Sequence, residues 1–351
     1  MAPIDAVITW VDGSDPSHAR RRAEVLGADA GARFAAADAT RFGDCGEVGW
    51  CVASLLRFAP WLRRIHIVAD AQAPAFVARV RGTPLADRVR VVDHREIFAG
   101  YERFLPTFSN RSIEAMLWRV PDLAPRFIYL NDDFMLLRDV APSDFFYGPD
   151  IAGHASGQVA LDDGTRTDSR DGVVLRGHWR DTAARERWAR WRQRLAALVT
   201  GGKAPARLAR PSQHAAQQLS ARMAGFEARY FQFPHCPAPL RRQTIADWFA
   251  AHPEALERNL SHRLRSAEQF LTVALANHLE LAAGHARIDT RLQTLRLRPS
   301  RQSAARVRAD LARAARDPSI AFACVQSLDE AEPGMRVHVQ DWLTQVIGPP
   351  L

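Results

Sequence analysis

The chain has 351 residues, an apolar fraction of 47% and a formal charge of +8, which suffices for a sizeable core and argues against a disordered chain. The charge is carried almost wholly by arginine, Lys203 being the single lysine; it suits nucleic acid, an acidic membrane surface or phosphorylated small molecules and does not choose among them. Cys45, Cys51, Cys236 and Cys324 show no zinc-ribbon or redox spacing, which points to a reduced compartment.

The N-terminal "MAPIDAVITWVDG" carries Asp5 inside its apolar run and ends at Asp12, so it is expected to be neither a signal peptide nor a membrane span. Buried strands are predicted at "AVITWV" (6–11), "IHIVAD" (65–70), "RVRVVD" (88–93) and "RFIYLND" (126–132), and helices at 47–59 and 109–120. This alternation predicts an α/β fold with a mostly parallel sheet. Each predicted strand ends in an aspartate or runs quickly into one. In open α/β sheets ligands bind beyond the carboxyl ends of the strands, so Asp12, Asp70, Asp93, Asp132 and Asp133 are candidates for one edge. Singly, Asp70 and Asp93 read equally well as turn or cap residues. The adjacent pair Asp132 and Asp133 does not, because neighbouring carboxylates repel unless a cation or several donors stabilise them.

Residues 150–180 are rich in Gly and Asp and read as a loop. Residues 181–283 read as a helical insertion, with a strand near 227–234 returning to the core; 284–351 hold an arginine-rich amphipathic stretch (295–316) and a last apolar segment, and complete the core. The expected division is therefore 1–180, 181–283 and 284–351.

Three constellations carry chemistry. Asp132 and Asp133, just past an apolar strand, suit Mg2+ or Mn2+ holding the diphosphate of a nucleotide sugar. "TWVDGSDP" (9–16) places a glycine turn and two carboxylates where a base and ribose could be gripped, with Trp10 for apolar contact, though the same letters make an ordinary turn over a core tryptophan. His235 follows a strand-like segment, and Arg263 and Arg265 precede a helix. They suit a proton shuttle and phosphate forks, or equally a solvated basic helix start.

Taken together, "IDAVITWVDGSDP", "RFGDCGEVGWCVASLLRFAPWLRRIHIVADAQAPAF", "VVDHREIFAGYERFLPTFSNRSIEAMLWRVPDLAPRFIYLNDDF" and "HCPAPLRRQTIADWFAAHPEALERNLSHRLRS" resemble the first three conserved regions of the Stealth family, over roughly 4–138 and 234–270. The resemblance implies a glycosyltransferase-A-like core with a helical insertion. It also implies transfer of a hexose 1-phosphate from a UDP-sugar to a hydroxyl of a glycan or polysaccharide acceptor, with release of UMP. By position it makes Asp132, Asp133, His235 and Arg265 catalytic, with Asp132 and Asp133 holding Mg2+ (or Mn2+). Trp10, Asp12, Gly13, Asp15, Gln72, Asn110, Arg111, Asn131 and Arg263 fall on the donor side. No nucleic acid is implied; the expected place is cytoplasmic, with arginine patches allowing peripheral contact with membrane-bound polysaccharide machinery. The chain departs from the family's pattern at Ala53 and Trp118, and its fourth region, "FACVQSLDEAEP", offers only Gln326, Ser327 and Asp329 where an Asn-Asp element is usual. A conventional glycosyltransferase releasing UDP and an inactive sugar-phosphate-binding module are the rival readings.

Overall fold

The computed structural model describes residues 2–28, 43–151, 171–182 and 212–351. Four strands, β1 (Ile4–Thr9), β2 (Ile65–Ala69), β3 (Val89–Asp93) and β4 (Arg126–Asn131), are the predicted ones and lie parallel in one sheet, in the order β4-β1-β2-β3. Their apolar runs follow from that position. Ile8, Ile67 and Leu130 are buried on one face, and Val7, Val68 and Tyr129 on the other. A strand covered on both faces reads as a continuous hydrophobic run. Each such side chain contributes roughly 1.5–3 kcal/mol on burial.

The chain moves outward from β1 through β2 to β3 and then returns to place β4 on the opposite side of β1, pairing Thr9 with Asn131. That reversal of strand order opens a crevice between the ends of β1 and β4. Directly after Asp133 the chain continues as β5 (Phe134–Leu136), which leaves the first sheet. It pairs antiparallel with β13 (Ile320–Val325), itself parallel to β12 (Gln293–Leu297). Asp132 and Asp133 thus form the junction between two sheets. The helix Glu47–Phe58 packs beneath it, and the Ser54 hydroxyl accepts the Leu136 N–H at 3.0 Å.

Three expectations are corrected. The segment near 227–234 does form a strand, β9 (Arg229–Gln232), but it pairs with β8 (His178–Asp181) in a separate ribbon. The strand that joins the core sheet is β10 (Ala238–Arg241), antiparallel to β4. Its prolines disguise it, yet β10 is an edge strand, where a missing N–H costs no ladder bond. The 109–120 helix is only Asn110–Glu114 followed by a 3-10 turn at Leu117–Arg119, and Ser109 caps neither, its hydroxyl donating to Gln269 Oε1 instead. The loop expected over 150–180 contains β7 (Gly172–Leu175) and the start of β8, which straddles the expected boundary at 180–181. Most of that Gly- and Asp-rich stretch, and residues 183–211 of the expected helical insertion, lie outside the described residues. From 212 to 283 helices dominate, at Gln213–Met223, Arg242–Ala251, Pro253–Leu260 and Thr272–Ala282. No helix among the described residues is long and apolar enough to cross a membrane.

One buried carboxylate ties the sheet to its flanks. Asp5, fully buried in β1, receives Arg63 through two bonds of 2.9 and 2.7 Å, the Ala124 N–H at 2.9 Å, and His66 Nε2 at 3.1 Å. Burial pushes its pKa up, but Arg63, His66 and Ala124 more than offset this and hold it at about 2, below the ordinary 3.8. A depressed carboxylate pKa gives stability that is complete above about pH 4 and is lost as pH falls through about 2. Asp5→Asn is therefore expected to cost on the order of 2 kcal/mol at pH 7. Urea unfolding should show the deficit closing as pH approaches 2; an unchanged midpoint at pH 7 would count against the ion pair.

Candidate active site

Beyond the carboxyl ends of β1, β2 and β4 lies a cleft of about 460 Å³. Its floor is Asn131, Asp132 and Asp133. The chain flanks this floor on both sides: β1 pairs at Asn131, and the Val325 N–H of β13 donates to the Asp133 carbonyl at 2.9 Å. On the β1 side the lining is Thr9, Trp10, Val11, Val68 and Phe108. On the β13 side it is Arg296, Arg298, Arg301, Gln326 and Ser327. His235 and Arg265 also face the cleft.

The acid pair is electrostatically strained. Burial, with Asp133, Glu47 and Asp44 nearby, pushes the Asp132 carboxyl far above the ordinary range. Burial lifts Asp133 to about 6, against a 3.6 Å contact from the Cys324 thiol, and its Oδ1 is buried with no hydrogen-bond partner. Glu47, at the start of the helix beneath, is raised to about 7 by burial, although the Cys45 N–H donates to it at 2.6 Å. An orphaned, buried carboxylate oxygen beside a second carboxyl group fits a hard divalent cation. Among the described residues no three His, Cys, Asp or Glu side chains group closely enough to ligate one ion. Mg2+ at phosphate sites is held through one or two carboxylates, with phosphate oxygens and water completing the shell.

A polar network holds the floor. The Tyr129 hydroxyl lies 2.7 Å from Asn131 Oδ1, 3.0 Å from Thr9 Oγ1 and 3.3 Å from Asn110 Nδ2, and Asn110 also donates to Glu114 at 2.8 Å. Burial raises Glu114 to about 7 while Arg265 and Arg111 draw it down. His235 is depressed to about 4, first by burial and then by Arg296, Arg298, His214 and Arg265. Its imidazole is neutral at physiological pH.

Of the expected site residues, the fold brings Trp10, Asn110, Asn131, Asp132, Asp133, His235 and Arg265 to the cleft. Trp10 is anchored by its indole N–H to Asp44 at 3.0 Å. The others stand behind it. Asp12 accepts from the N–H and hydroxyl of Ser14 across the Gly13 turn, and its backbone N–H and C=O are both bonded to Gln72. Asp15 caps the helix Pro16–Ala28 through the Ser17 and His18 N–H groups. Arg111 is buried and donates to the carbonyls of Ser266, Gln269 and Ser212, so it secures the loop that carries Arg265. Arg263 is exposed and reaches the Arg103 carbonyl at 3.4 Å. Asp93 caps a short helix, while Asp70 pairs with Arg21 at the rim. Sequence reasoning missed Glu47 and the three arginines of the β13 side. The acid at the head of a buried helix after Gly46, whose φ is 86°, was the available signal for the first.

Family models agree with this placement. Conserved region 1 of Stealth proteins matches residues 2–30, and conserved region 2 matches 41–152, which spans the cleft floor. Over these two regions the chain is similar to Stealth proteins. Among its relatives, an exopolysaccharide phosphotransferase of Streptomyces coelicolor is 32% identical over 264 residues, covering 75% of this chain and 40% of that protein. A second from the same organism is 42% identical over 144 residues, 41% of this chain and 23% of that one. The capsular polysaccharide phosphotransferase LcbA of Aeromonas hydrophila is 39% identical over 154 residues, 43% of this chain and 40% of its own. The chain thus spans less than half the length of these relatives. The crystal structure of a galactosyltransferase, LgtC, overlays 98% of the chain and 95% of its own at a TM-score of 0.40 and 10% identity, too loose a likeness to bear on chemistry.

Proposed function

We propose that this chain transfers a hexose 1-phosphate from a UDP-sugar to a hydroxyl of a glycan acceptor, in capsule or exopolysaccharide synthesis at the cytoplasmic side of the membrane. The observation that carries this reading is the half-buried carboxyl pair at the end of β4, with a neutral imidazole and an arginine lining the same cleft. The names of the relatives support it, as does a core read as glycosyltransferase-A-like. Peripheral contact with membrane-bound polysaccharide machinery belongs to the same reading.

The uracil and ribose lie on the β1 side, where Trp10, Val11 and Phe108 supply apolar surface. Asp132 and Asp133 would hold Mg2+ or Mn2+, which would supply positive charge against that of the departing nucleotide. Arg265 holds non-bridging oxygens of the transferred phosphoryl group. The acceptor hydroxyl forms a bond to the β-phosphorus, and the bond from that phosphorus to the bridging oxygen breaks. UMP departs with the electron pair, and the hydroxyl proton passes to His235, whose neutral state leaves a nitrogen free to accept it. Catalysis of this kind consists of in-line positioning and charge stabilisation.

Incubation with a panel of UDP-sugars and Mg2+, in the presence of a glycan acceptor, with nucleotide products read by mass, tests the reaction. UMP is expected. UDP as the product would move attack to the anomeric carbon and make the chain a conventional glycosyltransferase. A donor bound but unchanged would leave a binding module.

A further inference from the structure

We infer that Arg296, Arg298 and Arg301 form an oxyanion subsite on the acceptor side of the cleft, so that the glycan acceptor carries a phosphate ester or carboxylate near its attacking hydroxyl. The inference rests on the transfer reading above and names its acceptor class.

The geometry starts in β12. Leu295 and Leu297 are fully buried, and the alternation of the strand turns Arg296 and Arg298 toward the cleft instead. Both guanidiniums converge on one neutral acceptor. Gln326 Oε1 receives Arg296 Nε at 3.1 Å, Arg296 Nη2 at 2.8 Å and Arg298 Nε at 3.1 Å. An amide oxygen orients the two forks without cancelling either charge. Elsewhere in the chain arginines meet carboxylates, as Arg63 meets Asp5 and Arg126 meets Asp150. Among the described residues neither Arg296, Arg298 nor Arg301 has such an ion pair. Burial and the neighbouring Arg298 draw the Arg296 pKa down, against the Cys324 thiol and the Asp133 carboxylate.

Position assigns the subsite to the acceptor. In phosphoryl transfer the attacking and leaving oxygens lie roughly in line through phosphorus. With the nucleotide on the β1 side of Asp132 and Asp133, the nucleophile approaches from the β13 side, which is the arginine wall. A neutral sugar there would leave the guanidiniums uncompensated; an anionic one would be gripped by forks suited to planar carboxylate and to phosphate.

Calorimetry with glucose 6-phosphate, glucuronate and glucose, each titrated into protein saturated with UDP and Mg2+, tests this. At least one of the two anions should bind about tenfold or more tighter than glucose, and which one does identifies the charged group. Gln326→Glu should weaken that anion by about tenfold, with UDP affinity and melting temperature retained, since glutamate still ties both guanidiniums but cancels a charge. A purely structural glutamine would tolerate the same change. Displacement of the sugar anion by UDP, equal affinity for all three sugars, or an indifferent Gln326→Glu would each overturn the subsite as assigned. Wild-type protein that binds the sugar anion but no UDP overturns the donor reading, and the acceptor role with it, while the anion site stands.

Discussion

Asp132→Asn and Asp133→Asn are each expected to abolish the proposed sugar-phosphate transfer and to leave the fold in place. Asparagine keeps the shape of the side chain, so the β4–β5 junction should survive. What it removes is the charge with which, on the proposed reading, the pair would hold a divalent cation against the donor diphosphate. Removing a single oriented group that stabilises transition-state charge typically costs on the order of a hundred- to a thousandfold in rate, and the loss of a ligand to the cation should be at least that large. Stability should move the other way in metal-free protein. Both residues are half-buried, Asp133 Oδ1 is buried with no partner, and Glu47 stands close by. An amide in place of either relieves their repulsion. Thermal unfolding in EDTA should therefore give a midpoint equal to or above wild type, while UMP release in Mg2+ falls to background. Metal-dependent turnover in both variants would move the cation elsewhere, with Glu47 and Asp329, both on the cleft lining, the next candidates.

How much of this was legible in the sequence depends on the distance over which each feature is built. β1 to β4 were legible because parallel strands covered on both faces must be apolar throughout, so Ile4–Thr9 and Arg126–Asn131 announce themselves locally. The acid pair was legible for the same reason, since carboxylates at the end of such a strand have no packing role. β12 was not. Its alternation of Leu295 and Leu297 with Arg296 and Arg298, closed by Pro299, is a strand period of two, but it runs into the arginines of the helix Ala304–Arg316 and was absorbed into one amphipathic stretch. The role of Gln326 was hidden more deeply, because its meaning lies in two guanidiniums some thirty positions away. Asp12, Asp15, Gln72 and Arg111 show the opposite failure. Residues that suit a ligand also suit a turn, a cap or a carbonyl cage, and spacing alone does not separate the two uses.

Arg265→Lys is expected to keep the charge and lose most of the proposed activity. The loop Ser261–Ser266 is held at several points: the Phe108 N–H donates to the Arg263 carbonyl at 2.7 Å, Leu264 is buried against Phe108, and Arg111 grips the Ser266 carbonyl at 2.7 Å. So fixed, it presents Arg265 to the cleft and leaves Arg263 outside. Arg265 is near enough to lower the pKa of both His235 and Glu114, which places its charge between the proposed base and the buried floor. A guanidinium there can give two parallel bonds to phosphoryl oxygens, whereas an ammonium acts as a point charge on a flexible stem. Hydrogen bonds to charged groups contribute on the order of 1.5–3 kcal/mol, equivalent to a loss of roughly ten- to a hundredfold when the contact strengthens in the transition state. The loss should appear in kcat under saturating UDP-sugar, with little change in KM. Arg263→Lys should stay within about threefold of wild type, because Arg263 is exposed and donates to a surface carbonyl, and such contacts are worth little. If both substitutions prove equally harmless, the phosphoryl clamp lies elsewhere. Arg241 pairs with Glu280, Arg242 donates to the Trp118 carbonyl, and Arg111 is bound to three carbonyls, so none of them faces the donor. Arg296, Arg298 and Arg301 would then be the remaining arginines on the cleft lining, and their assignment to the acceptor would fall together with that of Arg265 to the donor.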